Sequence, residues 1–248
     1  LLFAKSKHAA QGPFVYNLVT KVINTKTNNQ DCELIEHLRK ELCKSEEIIQ
    51  ITDFGAGSNI NNSKLRKVKD VAKNSAKNSK FGKLLYRIIQ HYKPTNIIEL
   101  GTSLGISSCY LAKANSQANV FTFEGCPETA AIAQNNFNKL GITNTQITLG
   151  DFNSTLKNKL DEIKTVDLAF IDGNHQQEPT IKYFEECLKY ANNDSIFIFD
   201  DIHWSVGMEN AWNYIKAHPR TSVTIDLFFV GVVFIKSELS KEDFTFRF

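Results

Sequence analysis

"NIIELGTSLGISSCYLAKAN", residues 96–115, is the stretch that decides the fold. An apolar run ends in Glu99, the chain turns through Gly101 and Gly105, and a helical stretch follows at once. A strand, a glycine-rich turn and a helix in that order make the first half of a βαβ unit, and such a turn lets a ligand approach the backbone. The form is E-x-G-x-x-x-G. It differs from the G-x-G-x-x-G that places a pyrophosphate on a helix amino terminus. An acidic residue just ahead of the turn suits a cationic group instead. Taken alone, the stretch is equally an ordinary tight βα turn.

Downstream, "ANVFTFE" (118–124), "TQITLGD" (145–151), "VDLAFID" (166–172) and "SIFIFDD" (195–201) are apolar runs separated by segments with helical texture. Strands alternating with helices predict a doubly wound, mostly parallel α/β sheet. "SVTIDLFFVGVVFIK" (222–236) holds two β-rich runs that meet near Gly231 with little room for a helix. An antiparallel hairpin is therefore expected to close a seven-stranded sheet. Upstream, Leu34, Ile35, Leu38, Leu42 and Ile48 recur at roughly helical spacing within residues 33–50. Two short helices are expected in 64–93, stopping before Pro94. The expected organisation is an amino-terminal helical extension, residues 1–63, acting as a lid over the site, and a ligand-binding domain, residues 64–248. A second glycine segment, "DFGAGS" (53–58), has no following helix and strand to supply a further carboxylate and reads as a turn joining the two.

The chain has 248 residues, 42% hydrophobic and 23% charged, which is ordinary for a globular protein. Its net charge of +2, from 29 basic and 27 acidic residues, gives no electrostatic footprint for nucleic acid. Five cysteines without CxxC spacing argue against a disulfide scaffold or zinc site and for a reducing compartment, so the cytoplasm is expected. No apolar run reaches the roughly 18–20 residues of a membrane helix, so no membrane partner is expected. "FVYNLVTKVI" (14–23) is apolar enough to cover a second copy in a homodimer or the domain itself.

Each of the five strands ends on acidic side chains: Glu99, Glu124, Asp151, Asp172, and Asp200 with Asp201. In an open parallel sheet ligands bind beyond the carboxyl ends of the strands. Five ends gathering carboxylates are hard to assign to solubility alone. Glu124 also follows Gly105 at close to the roughly 20-residue offset where a carboxylate takes ribose hydroxyls.

"IIELGTSLGISSCYLA" (97–112), "VFTFEGCPETAAIA" (120–133) and "ITLGDF" (147–152) resemble the successive motifs of class I S-adenosylmethionine-dependent methyltransferases, over about residues 80–236. The resemblance implies that Glu99, Gly101, Thr102, Ser103 and Gly105 hold the methionine part of that cofactor, Glu124 the ribose, and Asp151 with Phe152 the adenine. A sulfonium cation carrying an ammonium group, with no phosphate, agrees with so many carboxylates. "FIDGNHQQEP" (170–179) and "FIFDDIHWSVG" (197–207) resemble, more narrowly, the catechol-type small-molecule O-methyltransferases. That family carries D-x-x-K and Asp-Asn at these places, holding Mg²⁺ against two oxygens of a small-molecule acceptor. Here His175 stands at the Lys and Asp200–Asp201 at the Asp-Asn. The resemblance implies Asp172, Asp200 and Asp201 as ligands of Mg²⁺ or another divalent cation. Asp172 also belongs to the cofactor set and, with His175 and His203, to the catalytic set. A βα turn at Asp172–Gly173, a helix cap at Asp201, and plain packing by His203 and Trp204 stand as alternatives. A non-catalytic cofactor-binding or macromolecule-interacting protein on the same fold is the alternative function.

Overall fold

The computed structural model describes residues 12–52, 65–75 and 79–248, so the DFGAGS segment lies outside the described residues. The described residues form two compact units, one built from Lys26–Thr95 and Glu99–Asn158, the other from Asn96–Ile98 and Lys159–Phe248 with the described residues up to Thr25.

The first unit opens with helix α2 (Gln30–Leu42), which follows α1 (Pro13–Leu18) of the other unit. Asn29 caps α2 by accepting from the Asp31 amide, and Cys32, Ile35, Leu38 and Leu42 form its buried stripe. The helical pattern expected to continue to Gln50 stops at Leu42; Ile48–Gln50 is instead strand β1, antiparallel to β2 (Leu65–Lys67). The polar "KSEE" between them offers no apolar face to extend the stripe. Helices α3 (Val68–Ser75) and α4 (Ser79–Tyr92) precede β3 (Asn96–Leu100), in which Ile97, Ile98, Glu99 and Leu100 are all buried, as a central strand requires. The chain then alternates through α5 (Ile106–Ala114), β4 (Asn119–Glu124), α6 (Pro127–Lys139), β5 (Thr145–Leu149) and α7 (Phe152–Ile163). Pro127 at the first position and Glu128 in the first turn start α6, and Gly141 at φ 61° follows its end. Strands β4 and β5 are parallel, with Glu124 opposite Leu149, so Glu124 and Asp151 emerge at one edge.

The second unit contains β6 (Val166–Ile171), α8 (Gln177–Leu188), β7 (Ala191–Asp200) and α9 (Val206–Ala217). Strands β6 and β7 are parallel, with Ile171 opposite Phe199, so Asp172 and Asp200 likewise end side by side. The expected hairpin is present: β8 (Val223–Asp226) and β9 (Val230–Phe234) are antiparallel, and β9 is antiparallel to β7. The apolar face of residues 14–23 is buried within this unit, and Phe14 meets Phe234 of β9 edge-on at 4.9 Å.

Among the described residues the sheet has eight strands, in the order β10-β8-β9-β7-β6-β3-β4-β5, rather than seven. The addition is β10 (Glu242–Thr245), parallel to β8. Half of its four residues are acidic, too little apolar alternation to announce a strand. Phe244 and Phe246 are nevertheless buried, with stacked rings. Among the described residues no helix is long and apolar enough to cross a membrane.

Candidate functional site

The glycine turn after β3 has the geometry its sequence requires. Gly101 and Gly105 sit at φ 107° and 80°, and Ser103 between them at 48°. These are left-handed conformations that favour glycine. The amides of Gly101 and Thr102 both donate to the Phe123 carbonyl of β4, and Asn136 of α6 donates to the Leu104 carbonyl. A Cβ on Gly105 would lie 2.7 Å from the Phe137 ring, so α6 also fills the space beneath the turn.

Glu99 is completely buried. One of its oxygens accepts from the hydroxyls of Ser108 in α5 and Thr122 in β4, the latter at 2.7 Å; Thr122 also meets the Thr102 hydroxyl at 2.6 Å. The other oxygen is buried without a hydrogen-bond partner. Burial pushes the Glu99 carboxyl up to about 7, against the pull of its hydroxyl donors. Ser108 and Thr122 went unrecognised in the sequence, because no local pattern ties a hydroxyl to a carboxylate across β4.

Glu124 links two segments of backbone. One oxygen accepts from the Ser103 amide at 2.7 Å and the other from the Cys126 amide at 2.8 Å. Burial raises its pKa, and those amides work in the opposite direction. Asp151 accepts from the Asn153 amide at 3.0 Å as α7 begins, and the Phe152 ring lies edge-on to Phe123 at 6.4 Å. Gly101, Thr102, Ser103, Gly105, Glu124, Asp151 and Phe152 thus all belong to the first unit and adjoin the carboxyl ends of β3, β4 and β5.

The remaining expected residues belong to the second unit. Asp172, His175 and Asp200 each bring a ligand atom within 4.8 Å of the others, and His175 Nε2 lies 3.7 Å from Asp172 Oδ1. Asp200 is fully buried, whereas Asp172 and His175 are partly exposed. Asp201, expected as the third ligand, is not among the atoms so gathered. Its backbone turns left-handed at φ 52° and its carbonyl accepts from the Trp204 amide. Nor does it cap α9; Ser205 does, accepting from Met208.

His203 is held by two carboxylates: Nε2 lies 2.8 Å from Asp226 and Nδ1 3.4 Å from Glu209. Asp226 ends β8 and also accepts from the Phe228 amide, and the Phe228 ring packs against His203 at 5.8 Å. Trp204, Phe228 and Phe229 are exposed nearby in sequence. Asp226 carries the same signal as the other acids, a carboxylate closing a β-rich run.

Residues 98–202 match the family described as a methyltransferase domain. The chain is 31% identical over 124 residues to a catechol O-methyltransferase of Niastella koreensis, a match covering 49% of this chain and only 55% of the relative, so it spans about half that protein's length. Among solved structures it is similar to an S-adenosylhomocysteine-bound methyltransferase of Podospora anserina (17% identity, TM-score 0.63, 86% of this chain and 91% of that one). It is also similar to an O-methyltransferase of Bacillus cereus in complex with S-adenosylhomocysteine (19%, 0.60, 88% and 96%). At these identities the two structures speak for the fold. The strand order, the glycine turn and the acidic strand ends are those of a class I S-adenosylmethionine-dependent methyltransferase. These likenesses support that class, with the methyltransferase domain matched over residues 98–202.

Proposed function

We propose that the protein transfers the methyl group of S-adenosylmethionine to a hydroxyl oxygen of a small molecule. The observation that carries this reading is Glu124, whose carboxylate closes onto the Ser103 amide of the glycine turn. In this reading the contact sets the acid that would take the ribose against the segment that would hold the methionine moiety, with Asp151 and Phe152 at the next strand end for the adenine. Glu99 then serves as a positioning residue, tying β3, α5 and β4 together behind the turn.

The acceptor would be held in the second unit. Two carboxylates and an imidazole within 4.8 Å fit a divalent cation, whose ligands stand about 3–5 Å apart for bonds of about 2.0–2.4 Å. The same loop carries Asn174 Oδ1, buried without a hydrogen-bond partner. Asp172, His175 and Asp200 would hold the ion, which when bound supplies a Lewis acid that draws acceptor oxygens and lowers their pKa. The relative of Niastella koreensis acts, by its name, on a catechol, and two adjacent ring hydroxyls suit such a site. Exposed Trp204 and Phe228 offer flat apolar faces for a ring.

In the transfer an oxygen lone pair forms the new C–O bond as the C–S bond breaks, leaving neutral S-adenosylhomocysteine. The hydroxyl proton passes to a base, for which the chain offers His203 or, where it does not hold the ion, His175. Alignment and exclusion of water do most of the work. Calorimetry with S-adenosylmethionine, followed by transfer of labelled methyl to a panel of hydroxylated aromatics, tests the reading. Binding without transfer to any acceptor would favour a non-catalytic cofactor-binding protein, and no binding would overturn the assignment.

A further inference from the structure

The group at the ends of β6 and β7 differs from an all-oxygen cation site in one respect: its third member is an imidazole. We infer that His175 is a metal ligand rather than a base, and that the Asp172–His175–Asp200 group selects a first-row transition ion over Mg²⁺. The inference rests on the reading above, in which this group holds a divalent cation.

Three observations support it. The first is distance: His175 Nε2 is 3.7 Å from Asp172 Oδ1, and all three ligand atoms lie within 4.8 Å. Two ligands on one ion at about 2.0–2.4 Å are separated by about 3 Å when adjacent and by up to about 4–5 Å when opposite, so one ion reaches all three with little movement. The second is the position of Asp201. The sequence offers it as a third carboxylate, but its atoms are not in the group and its backbone is turned left-handed. The donor set is therefore one nitrogen and two carboxylates. The third is burial. Asp200 is fully buried, so a second carboxylate beside it is costly unless positive charge is shared between them.

The chemistry of the donors then decides the ion. Mg²⁺ is hard, sheds its water reluctantly and prefers carboxylate and phosphate oxygens. Imidazole suits zinc, iron, cobalt and nickel, and affinity for an N,O site rises along the first row from Mn²⁺. A ring nitrogen bound to an ion has no lone pair left to accept a proton. The base would accordingly be His203, oriented by Asp226 at 2.8 Å.

The test is metal binding by the full chain after removal of metals with a chelator. Titrations with Mg²⁺, Mn²⁺ and Co²⁺ are run calorimetrically on wild type and His175→Ala, and the visible spectrum of the Co²⁺ form is recorded. The expected result is a Co²⁺ affinity at least about 100-fold above that for Mg²⁺, falling about 10- to 100-fold in His175→Ala with a shifted Co²⁺ spectrum. Mg²⁺ affinity should change little, which also reports that the variant is folded. Equal Co²⁺ binding and an unchanged spectrum in His175→Ala would overturn the inference while leaving the cation reading intact. Absence of binding by any of the three ions at millimolar concentration would overturn both.

Discussion

Glu124 and Glu99 are both acids at strand ends, but their surroundings give them different work. Glu124 is partly open and engaged by two backbone amides. Glu124→Ala should weaken S-adenosylmethionine by about 1–3 kcal/mol, the scale of a lost charge-assisted hydrogen bond, measured by calorimetry. An unchanged affinity would remove Glu124 from the ribose site. Glu99 instead governs stability against pH. Its carboxyl titrates near 7 in the native chain against an ordinary value of 4.5, so between those values the native state holds a proton that the unfolded chain releases. The contribution is full below about 4.5 and is lost as pH rises through about 7, on the order of 3 kcal/mol in all. Glu99→Gln cannot titrate, so its stability relative to wild type should rise between pH 5 and pH 8 in denaturant melts. The acids themselves were legible in the sequence, since each closes an apolar run. Their hydroxyl and amide partners were not, because such partners are set by how strands pair and not by spacing along the chain.

At the scale of elements, α2, α4 and α5 form one packed set. Gly82 of α4 leaves space that Tyr110 of α5 occupies, and a Cβ there would stand 2.2 Å from that ring. Tyr110 in turn donates to Glu36 of α2 at 2.8 Å. Gly82→Ala gains about 1 kcal/mol of helix propensity, but the overlap with a buried ring costs about 1–3 kcal/mol or more. A lower melting temperature is the expected outcome, and a higher one would show that the ring can move aside at little cost. Because Cys32, Ile35, Leu38 and Leu42 of α2 are buried, deleting residues 1–44 should abolish a cooperative thermal transition in circular dichroism. A truncated chain that still melts cooperatively would identify α2 as a detachable cover. The strong periodic elements were predictable from apolar spacing alone. The short pair β1–β2 and strand β10 were not, since strands of three or four residues carry almost no period and exist by virtue of their partners.

For the whole molecule, the alternation of strand and helix from Asn96 onward announced the α/β class, and the hairpin announced the antiparallel end of the sheet. What stayed hidden was how the sheet is finished. Strand β8 is largely buried and apolar, and β10 completes its outer hydrogen bonds: the Glu242 amide donates to Ser222 and the Phe246 amide to Asp226. At the opposite end of the sheet β5 is bordered, among the described residues, only by β4, and it presents mostly half-exposed or exposed residues with Thr145 and Gln146 among them. One margin is thus tolerable to water by composition, the other only because a few later residues lie across it. An uncovered β8 would offer a strip of open amides and carbonyls beside Val223 and Ile225, a template for the same strip on another copy. Removing residues 241–248 should therefore show first as concentration-dependent light scattering, with methyl-donor affinity per folded molecule little changed. Residues 241–248, with Phe244 and Phe246 buried, would then guard colloidal behaviour as well as complete a strand.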